Sequence, residues 1–394
     1  MSNEKEGEGM KKRIGTISYN IYCNFTNYGS ALQTWALHQA IKKLDVGVEP
    51  VLVDYCPDVL MDKDPLNPFA HMWDQDEESR RLCQLSMPVI RENYEKFDRF
   101  YTQRFQRTRK RYTSKNFEDV VRDEALDGFL CGSDTIFCID EFGGFDDGYY
   151  ANYPCMKNGY AAAYAASFGD AHFDRNTYAI LQERLKNFQA LGLREENMLP
   201  YVRAHTTVPV QRVLDPTLLL CAEDYAPITA PVQEKSPYLL LYARRYNPQM
   251  EAYAERLARE NGWGIVEISL RYTNRDRHRM FYEAGVEEYL SLAQHAQYIV
   301  TNSFHGAVFA IQFRRPFCVF TREQADTKIK ELMDLLALSE RIWRDGNGPA
   351  DGHIDWEPVE RRLASMREAS LAFLKLETEL CPSIGAEKDR ERLL

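Results

Sequence analysis

The segment Thr301-Asn302-Ser303-Phe304-His305-Gly306 combines small polar residues with a histidine, a combination suited to anion binding and proton transfer. An apolar run precedes the segment and an apolar periodic stretch follows it, and this order predicts a strand, a tight turn and a helix. Asn302 or Ser303 would cap the helix, so His305 would lie in its first turn beside unpaired backbone N–H groups. Because a helix N-terminus attracts phosphate and carboxylate groups, we predict that this turn binds an anionic ligand. The alternative is a histidine buried in the core at a helix start.

Other short apolar runs also end in small polar turns. The turns are Asn27-Tyr28-Gly29-Ser30, Gly132-Ser133-Asp134, Ser167-Phe168-Gly169 and Arg194-Glu195-Glu196. Because the carboxyl ends of parallel strands meet at one edge of a sheet, we expect these turns to surround a common crevice. The sequence therefore predicts an α/β fold with doubly wound parallel sheets.

The length of 394 residues predicts two domains, because single hydrophobic cores rarely grow that large. We place the boundary in the proline-containing segment that begins at residue 229. The predicted divisions are a disordered tail (1–12), an N-terminal Rossmann-like domain on the acceptor side (13–228), a C-terminal Rossmann-like donor-binding domain (229–345) and a C-terminal helical extension (346–394). Residues 213–215 are predicted to end a strand of the first domain. The helix after Gly306 is predicted to include Arg314 and Arg315 and to stop at Pro316.

Composition and charge narrow the classes of function. The net charge of −10 gives no support for nucleic-acid binding. No apolar stretch is long enough for a transmembrane helix, and the polar N-terminus lacks the apolar core of a signal peptide. Nine scattered cysteines without a Cys-x-x-Cys pair predict reduced thiols, a cytoplasmic protein and no metal site.

From about Ile14 to Leu338 the chain resembles the polysaccharide pyruvyl transferase family. The residues that carry the resemblance are Asn27-Tyr28-Gly29-Ser30-Ala31-Leu32-Gln33, Gly132-Ser133-Asp134, Tyr164-Ala165-Ala166-Ser167-Phe168-Gly169, Arg194-Glu195, Leu214-Asp215-Pro216-Thr217-Leu218 and Asn302-Ser303-Phe304-His305-Gly306. Each short motif is weak by itself, but their order and spacing along the chain are specific.

The resemblance implies two Rossmann-like domains facing a cleft, similar to the GT-B glycosyltransferase architecture. It implies phosphoenolpyruvate as the donor, with no further cofactor and no metal. The acceptor would be a sugar of a surface polysaccharide or exopolysaccharide, or its precursor, and the product a cyclic pyruvate ketal. The expected location is the cytoplasm, and peripheral attachment to the inner face of the membrane is left open, as is a lipid-linked or nucleotide-linked acceptor.

Given this chemistry, the candidate residues take three roles. The predicted catalytic residues are His305 as general acid, Arg194 as a bidentate partner of the donor, and Asp134 as a group that orients or deprotonates an acceptor hydroxyl. The predicted donor-binding residues are Asn302, Ser303, Gly306, Arg244, Arg245 and Lys328. The predicted acceptor-binding residues are Asn27, Ser30 and Ser133.

Several alternatives stay open at this point. Any of Arg244, Arg245, Arg322 and Lys328 could hold the phosphate. Arg194 could instead form a surface salt bridge with Glu195 or Glu196, and Asp134 could be a helix N-cap. Asp215 precedes a proline, which favours a turn former, so we leave it out of the catalytic set.

Two other functions compete with pyruvyl transfer. One is a GT-B-type glycosyltransferase that uses a nucleotide-sugar, and the other is a non-catalytic sugar-binding relative. The sequence does not identify the acceptor sugar, its hydroxyl pair, the ketal stereochemistry or the oligomeric state.

Overall fold

The computed structural model describes residues 11–22, 26–67, 77–270, 272–321, 326–344, 348–349 and 353–383. Two parallel β-sheets follow one another along this part of the chain, each with helices between its strands. The predicted fold class, two Rossmann-like α/β domains, is confirmed. Arg322 and most of the predicted N-terminal tail lie outside the described residues.

The first sheet belongs to the N-terminal domain. Its strands are β1 (Lys12–Ile17), β2 (Val48–Leu52), β3 (Gly128–Cys131), β4 (Ala161–Ala166), β5 (Leu191–Leu193) and β6 (Val210–Arg212), in the order β2-β1-β3-β4-β5-β6, and all neighbours are parallel. The helices are α1 (Tyr28–Leu44), α2 (Glu77–Gln103), α3 (Val120–Glu124), α4 (Ile139–Phe142), α5 (Pro154–Lys157), α6 (Arg175–Leu185), α7 (Leu199–His205) and α8 (Ala222–Tyr225). Every residue of β3 and β4 is buried, as expected for parallel strands covered on both faces.

The second sheet has the same architecture. Its strands are β7 (Tyr238–Tyr242), β8 (Gly264–Ile268), β9 (Arg279–Met280), β10 (Tyr298–Thr301) and β11 (Phe317–Val319), in the order β11-β10-β7-β8-β9 and all parallel. The helices are α9 (Pro248–Asn261), α10 (Val286–His295), α11 (Phe304–Gln312) and α12 (Asp326–Leu336).

The final helix, α13 (Trp356–Leu380), returns to the first domain. Lys12 Nζ donates to the carbonyl of Cys381 (2.7 Å), and Leu214 N donates to Ser370 Oγ (3.0 Å). The C-terminal segment therefore packs against the first sheet and links the two ends of the described chain.

The N-terminus of α1 packs directly against the second domain. The Tyr28 ring stacks on Tyr289 with a centroid separation of 4.5 Å, and its hydroxyl donates to the carbonyl of Ala284 (2.7 Å). Aromatic stacking combined with a satisfied hydroxyl makes this a fixed contact between the domains. The turn before α1 is thereby held next to the turn that precedes α11.

Two predicted boundaries were wrong. Helix α11 ends at Gln312, because Arg314 adopts a left-handed conformation (φ 51°) and Arg315 N donates back to the carbonyl of Ala310 (2.8 Å), a Schellman-type ending. Residues 213–215 follow β6 instead of forming its end, so they belong to a turn at the carboxyl edge of the sheet.

Glu377 of α13 provides a test of this packing that is independent of function. Its carboxyl group is fully buried and neither oxygen has a hydrogen bond of normal geometry. Burial raises the pKa of Glu377 well above its ordinary value, and the backbone N–H of Gly192 offsets this only in part. Protonation of Glu377 therefore stabilises the folded state. This contribution is complete below about pH 4.5, the ordinary pKa of the group, and is lost as the pH rises from there through the raised pKa of the folded state.

We expect Glu377→Gln to unfold at a higher temperature than the wild type at pH 7.5, with little difference at pH 4.5. The gain is about 1.4 kcal/mol for each unit by which the folded-state pKa exceeds the unfolded one, up to the working pH. Thermal denaturation at both pH values measures it, with Glu379→Gln on the exposed side of the same helix as control. An equal shift at the two pH values would contradict the assignment.

Candidate active site

The candidate site lies where the turn between β10 and α11 meets three turns of the first domain. An open pocket occupies this position. Its walls are formed by Arg194, Glu195, Arg212, Val213, Leu214, Asp215, Leu218, Phe304, Lys328, Glu331, Leu332, Leu335 and Met366. Both domains and α13 contribute side chains, as the predicted cleft between two domains requires.

His305 occupies the first turn of α11, as predicted. Ser303 is the N-cap, and its hydroxyl oxygen accepts from Gly306 N (3.3 Å). The imidazole is buried, with 8% of the side chain exposed, and packs on the backbone of Gly29. Its Nε2 lies 3.4 Å from Asp215 Oδ2. The ring is therefore fixed by the first domain and directed at a carboxylate of that domain, so it is not a histidine in apolar packing.

Arg194 is buried under the pocket and has polar contacts on several sides. Its Nε donates to the carbonyl of Ala165 (3.2 Å), and its Nη2 donates to Ser133 Oγ (2.8 Å). Its Nη1 lies 3.1 Å from Asp215 Oδ2. A surface salt bridge with Glu195 or Glu196 is wrong, because the guanidinium is inside the protein and pairs with Asp215.

Asp215 joins the histidine to the arginine, and the sequence prediction missed it. Its Oδ1 accepts from Thr217 N (2.9 Å) as a turn former would, while its Oδ2 is left for Arg194 and His305. Burial by itself would raise the pKa of Asp215, but the charges of Arg194 and His305 outweigh burial and hold it well below the usual range. The carboxylate thus stays ionised and orients both side chains.

Three atoms in this group have unused hydrogen-bonding capacity. Arg194 Nη1, Asp215 Oδ2 and His305 Nε2 are buried and close together, yet none has a hydrogen-bond partner of suitable geometry in the structure. Buried polar atoms are nearly always satisfied, and these three meet one another only as ion pairs, so they keep hydrogen-bonding capacity for a ligand or for bound water.

Asp134 lies on the opposite side of the same cluster and is not a helix N-cap. Ser30 Oγ donates to its Oδ2 (2.8 Å), and Thr135 N donates to its Oδ1 (3.0 Å). Arg194 Nη2 lies 3.7 Å from Oδ1. Burial alone would raise the pKa of Asp134, but the nearby charges of Lys328, Arg194 and His305 lower it below its usual value.

Two further residues predicted to bind the acceptor, Ser133 and Asn27, form hydrogen bonds with neighbouring groups of the protein. Ser133 is fully buried, and its hydroxyl contacts Arg194 and the carbonyl of Ala165 (2.9 Å). Asn27 is the N-cap of α1 and accepts from Gly29 N (3.0 Å) and Ser30 N (3.4 Å). In this structure the Ser133 and Asn27 side chains position neighbouring residues. Their contacts with an acceptor stay predictions.

Lys328 extends over the pocket from the start of α12. Its Nζ lies 5.8 Å from the centroid of the Phe304 ring, and the Arg194 guanidinium carbon lies 5.4 Å from the same centroid. Lys328 and Arg194 therefore both lie within cation–π range of the Phe304 ring. Among the predicted phosphate-binding cations, Lys328 is a wall residue of the pocket.

Asn302 connects the β10–α11 turn to the turn that carries the arginine pair. Its Oδ1 accepts from Arg244 N (2.8 Å), and its Nδ2 donates to the carbonyl of Arg245 (2.7 Å). The amide thus holds the backbone after β7, at the carboxyl edge of the second sheet. Arg244 and Arg245 are half-buried there, so their predicted role in donor binding remains open.

Glu195 is a second pocket residue that the sequence prediction did not assign. Its oxygens accept from Ser167 Oγ and from Phe168 N (3.3 Å). Burial raises the pKa of Glu195, and the charges of Arg194 and Lys328 reduce that shift. The side chain fixes the turn after β4 beside the pocket.

Within the described ranges, no cluster of three or more His, Cys, Asp or Glu residues has an arrangement that could hold a metal ion. The same part of the chain contains no helix that is long and apolar enough to cross a membrane.

Comparison with solved structures returns many matches at low sequence identity. Staphylococcus aureus MnaA in complex with UDP is 15% identical, with 97% of this chain and 94% of that chain covered and a TM-score of 0.48. The UDP-GlcNAc 2-epimerase of Methanocaldococcus jannaschii is 12% identical, with 97% and 98% covered and a TM-score of 0.48. The O-GlcNAc transferase of Thermobaculum terrenum is 11% identical, with 95% and 67% covered and a TM-score of 0.42.

No curated protein has significant sequence similarity to this chain. The family model of polysaccharide pyruvyl transferases, in contrast, matches residues 27–324. This range begins at the N-cap of α1, ends just after β11 and contains Asp134, Arg194, Asp215 and His305. The chain therefore belongs to the polysaccharide pyruvyl transferase family.

Proposed function

We propose that the protein transfers the pyruvyl group of phosphoenolpyruvate to a sugar of a surface polysaccharide or its precursor and forms a cyclic pyruvate ketal. Membership of the family supports pyruvyl transfer to a polysaccharide in general. The observation that supports this donor is the pocket lined by both Arg194 and Lys328, because the donor carries both a phosphate and a carboxylate. His305 Nε2 lies 3.4 Å from Oδ2 of Asp215, a wall residue of the same pocket.

The donor needs cations that are fixed before it binds. Arg194 is held by Ala165, Ser133 and Asp215, so little freedom is lost when its guanidinium meets an anionic oxygen. Lys328 supplies a second positive charge from the other domain, beside the same Phe304 ring. An anion held between them would bridge the domains.

The proton bookkeeping of ketal formation assigns His305 a specific step. Protonated His305 gives its proton to the methylene carbon, which becomes the methyl group, and C2 becomes electrophilic. One acceptor hydroxyl then adds to C2, and its proton restores the acid. The second hydroxyl forms the other C–O bond as the C–O bond to phosphate breaks, and its proton leaves with the phosphate. The carboxylates of the candidate site stabilise the positive charge that develops at C2 of the donor.

Asp134 is the group of this chain that we propose to orient the acceptor. It is ionised and lies beside Arg194, and Ser30 Oγ fixes one of its oxygens. A carboxylate in this state accepts a hydrogen bond from a hydroxyl and increases the electron density on the attacking oxygen.

A binding experiment tests the donor. We expect phosphoenolpyruvate to raise the unfolding temperature in a concentration-dependent way, since a ligand that binds only the folded state stabilises it. Inorganic phosphate and pyruvate, tested separately, should bind much more weakly, because each lacks one of the two anionic groups. A shift with UDP-N-acetylglucosamine and none with phosphoenolpyruvate would favour a nucleotide-sugar glycosyltransferase instead.

A further inference from the structure

Helix α12, which carries Lys328, is attached to the first domain by a carboxylate one turn further on. Glu331 Oε2 accepts from Arg212 Nη2 (3.0 Å) and from the backbone N–H of Glu196 (3.2 Å). At the start of the helix, Thr327 Oγ1 donates to Asp170 Oδ1 (2.6 Å). Lys328 therefore lies between two contacts that join the domains.

The same guanidinium also holds the turn that carries Arg194. Arg212 Nε donates to the carbonyl of Arg194 (3.2 Å), while its Nη1 lies 3.3 Å from Glu196 Oε2. One planar side chain thus contacts the backbone of one pocket cation and the helix of the other. A guanidinium is suited to this task, because its donors point in several fixed directions.

The link is partly shielded from solvent. The Arg212 and Glu331 side chains are 25% and 22% exposed, and both line the pocket. The Glu196 side chain is 60% exposed, so its pairing with Arg212 is expected to contribute little. The contacts of Arg212 that are expected to hold the pocket residues in place are those with the Arg194 carbonyl and with Glu331.

We propose that Arg212 is a positioning residue for the donor site, which sets the separation of Arg194 and Lys328 through its contact with Glu331. This inference rests on the proposed donor. The two cations come from different domains, and a bound anion must reach both, so a shift of either by about 1 Å weakens the bridge strongly.

A purely electrostatic role for Arg212 makes a different prediction. If its positive charge merely attracted the donor, Glu331→Gln would remove a neighbouring negative charge and would strengthen phosphoenolpyruvate binding. If Arg212 acts through Glu331, the same substitution loosens α12 and weakens binding. The two explanations thus differ in the sign of one measured change.

The test is isothermal titration of phosphoenolpyruvate into the full chain and into variants. We expect Arg212→Ala to raise the dissociation constant by about ten-fold or more and Glu331→Gln to raise it by less. The double variant should be no weaker than Arg212→Ala, because both substitutions break one link. Arg203→Ala is the matched control, since this exposed arginine contacts the carbonyl of Val210 at the other end of β6.

Kinetics and folding separate positioning from general damage. Where an acceptor supports turnover, Arg212→Ala should raise KM for the donor with little change in kcat, and its unfolding temperature should stay close to that of Arg203→Ala. Wild-type affinity in Arg212→Ala, or stronger binding in Glu331→Gln, overturns the inference. A wild-type chain that does not bind phosphoenolpyruvate would instead overturn the proposed donor.

Discussion

Replacement of His305 by glutamine is expected to lower kcat for phosphate release from phosphoenolpyruvate by about 10²–10⁴-fold, the usual contribution of a positioned acid. Glutamine has an amide near the position of the imidazole but cannot transfer a proton to the methylene carbon. Asp215 would keep its ion pair with Arg194, so the anion site should survive. The dissociation constant of the donor is therefore expected to change by much less than the rate.

The control is His172→Gln, a substitution of the same type at an exposed residue that pairs with Asp140 on the surface of the first domain. Donor affinity is measured by titration and turnover by release of inorganic phosphate, so the two effects are separated. A His305→Gln protein with turnover close to that of His172→Gln would show that another group protonates the donor.

The sequence predicted the fold well because its strands are short buried runs that end in distinctive turns. The apolar run before Asn302 forms β10, and a helix follows the turn, as predicted. One of the two boundary errors occurred where a contact distant in sequence decides the boundary. Leu214, for example, is held by Ser370 of α13, which no local pattern reveals.

The candidate site was predicted in part, and the omission of Asp215 has a physical cause. The proline after Asp215 favours a turn former, and one of the Asp215 oxygens does form the turn. A carboxylate has two oxygens, however, and the second one meets Arg194 and His305 only after folding. The available signal was the position of Asp215 within one of the motifs that carry the family resemblance.

Asn302 illustrates the opposite case. It was one of two residues predicted to cap α11, and Ser303, the other, is the cap, while the Asn302 amide joins two turns of the second sheet. Its role in donor binding stays a prediction. Those turns are far apart in sequence and adjacent only because β7 and β10 pair in parallel. Local propensity identified a polar turn residue without identifying its partner.

Gly29→Ala is expected to lower turnover by about 100-fold, although it removes no functional group. Alanine normally favours a helix by about 1 kcal/mol relative to glycine, so propensity alone predicts a more stable α1. A Cβ at this position, however, would lie 2.0 Å from His305 Nδ1 and 2.4 Å from its Cγ. Either the buried His305 ring must rotate or the N-terminus of α1 must move away from it. Both movements increase the distance between His305 Nε2 and Asp215.

The double variant Gly29→Ala with His305→Ala isolates this contact. If the clash with the imidazole is the cause, removal of the ring relieves it, so Gly29→Ala should cost stability in the wild-type background but not in the His305→Ala background. Unfolding temperatures of the four proteins complete the cycle, and turnover of the two single variants gives the functional effect. Because α1 belongs to one domain and His305 to the other, an interaction measured in this cycle would establish that the first domain's leading helix positions the acid of the second. An additive cycle, with equal cost in both backgrounds, would show that the imidazole does not rest on this glycine.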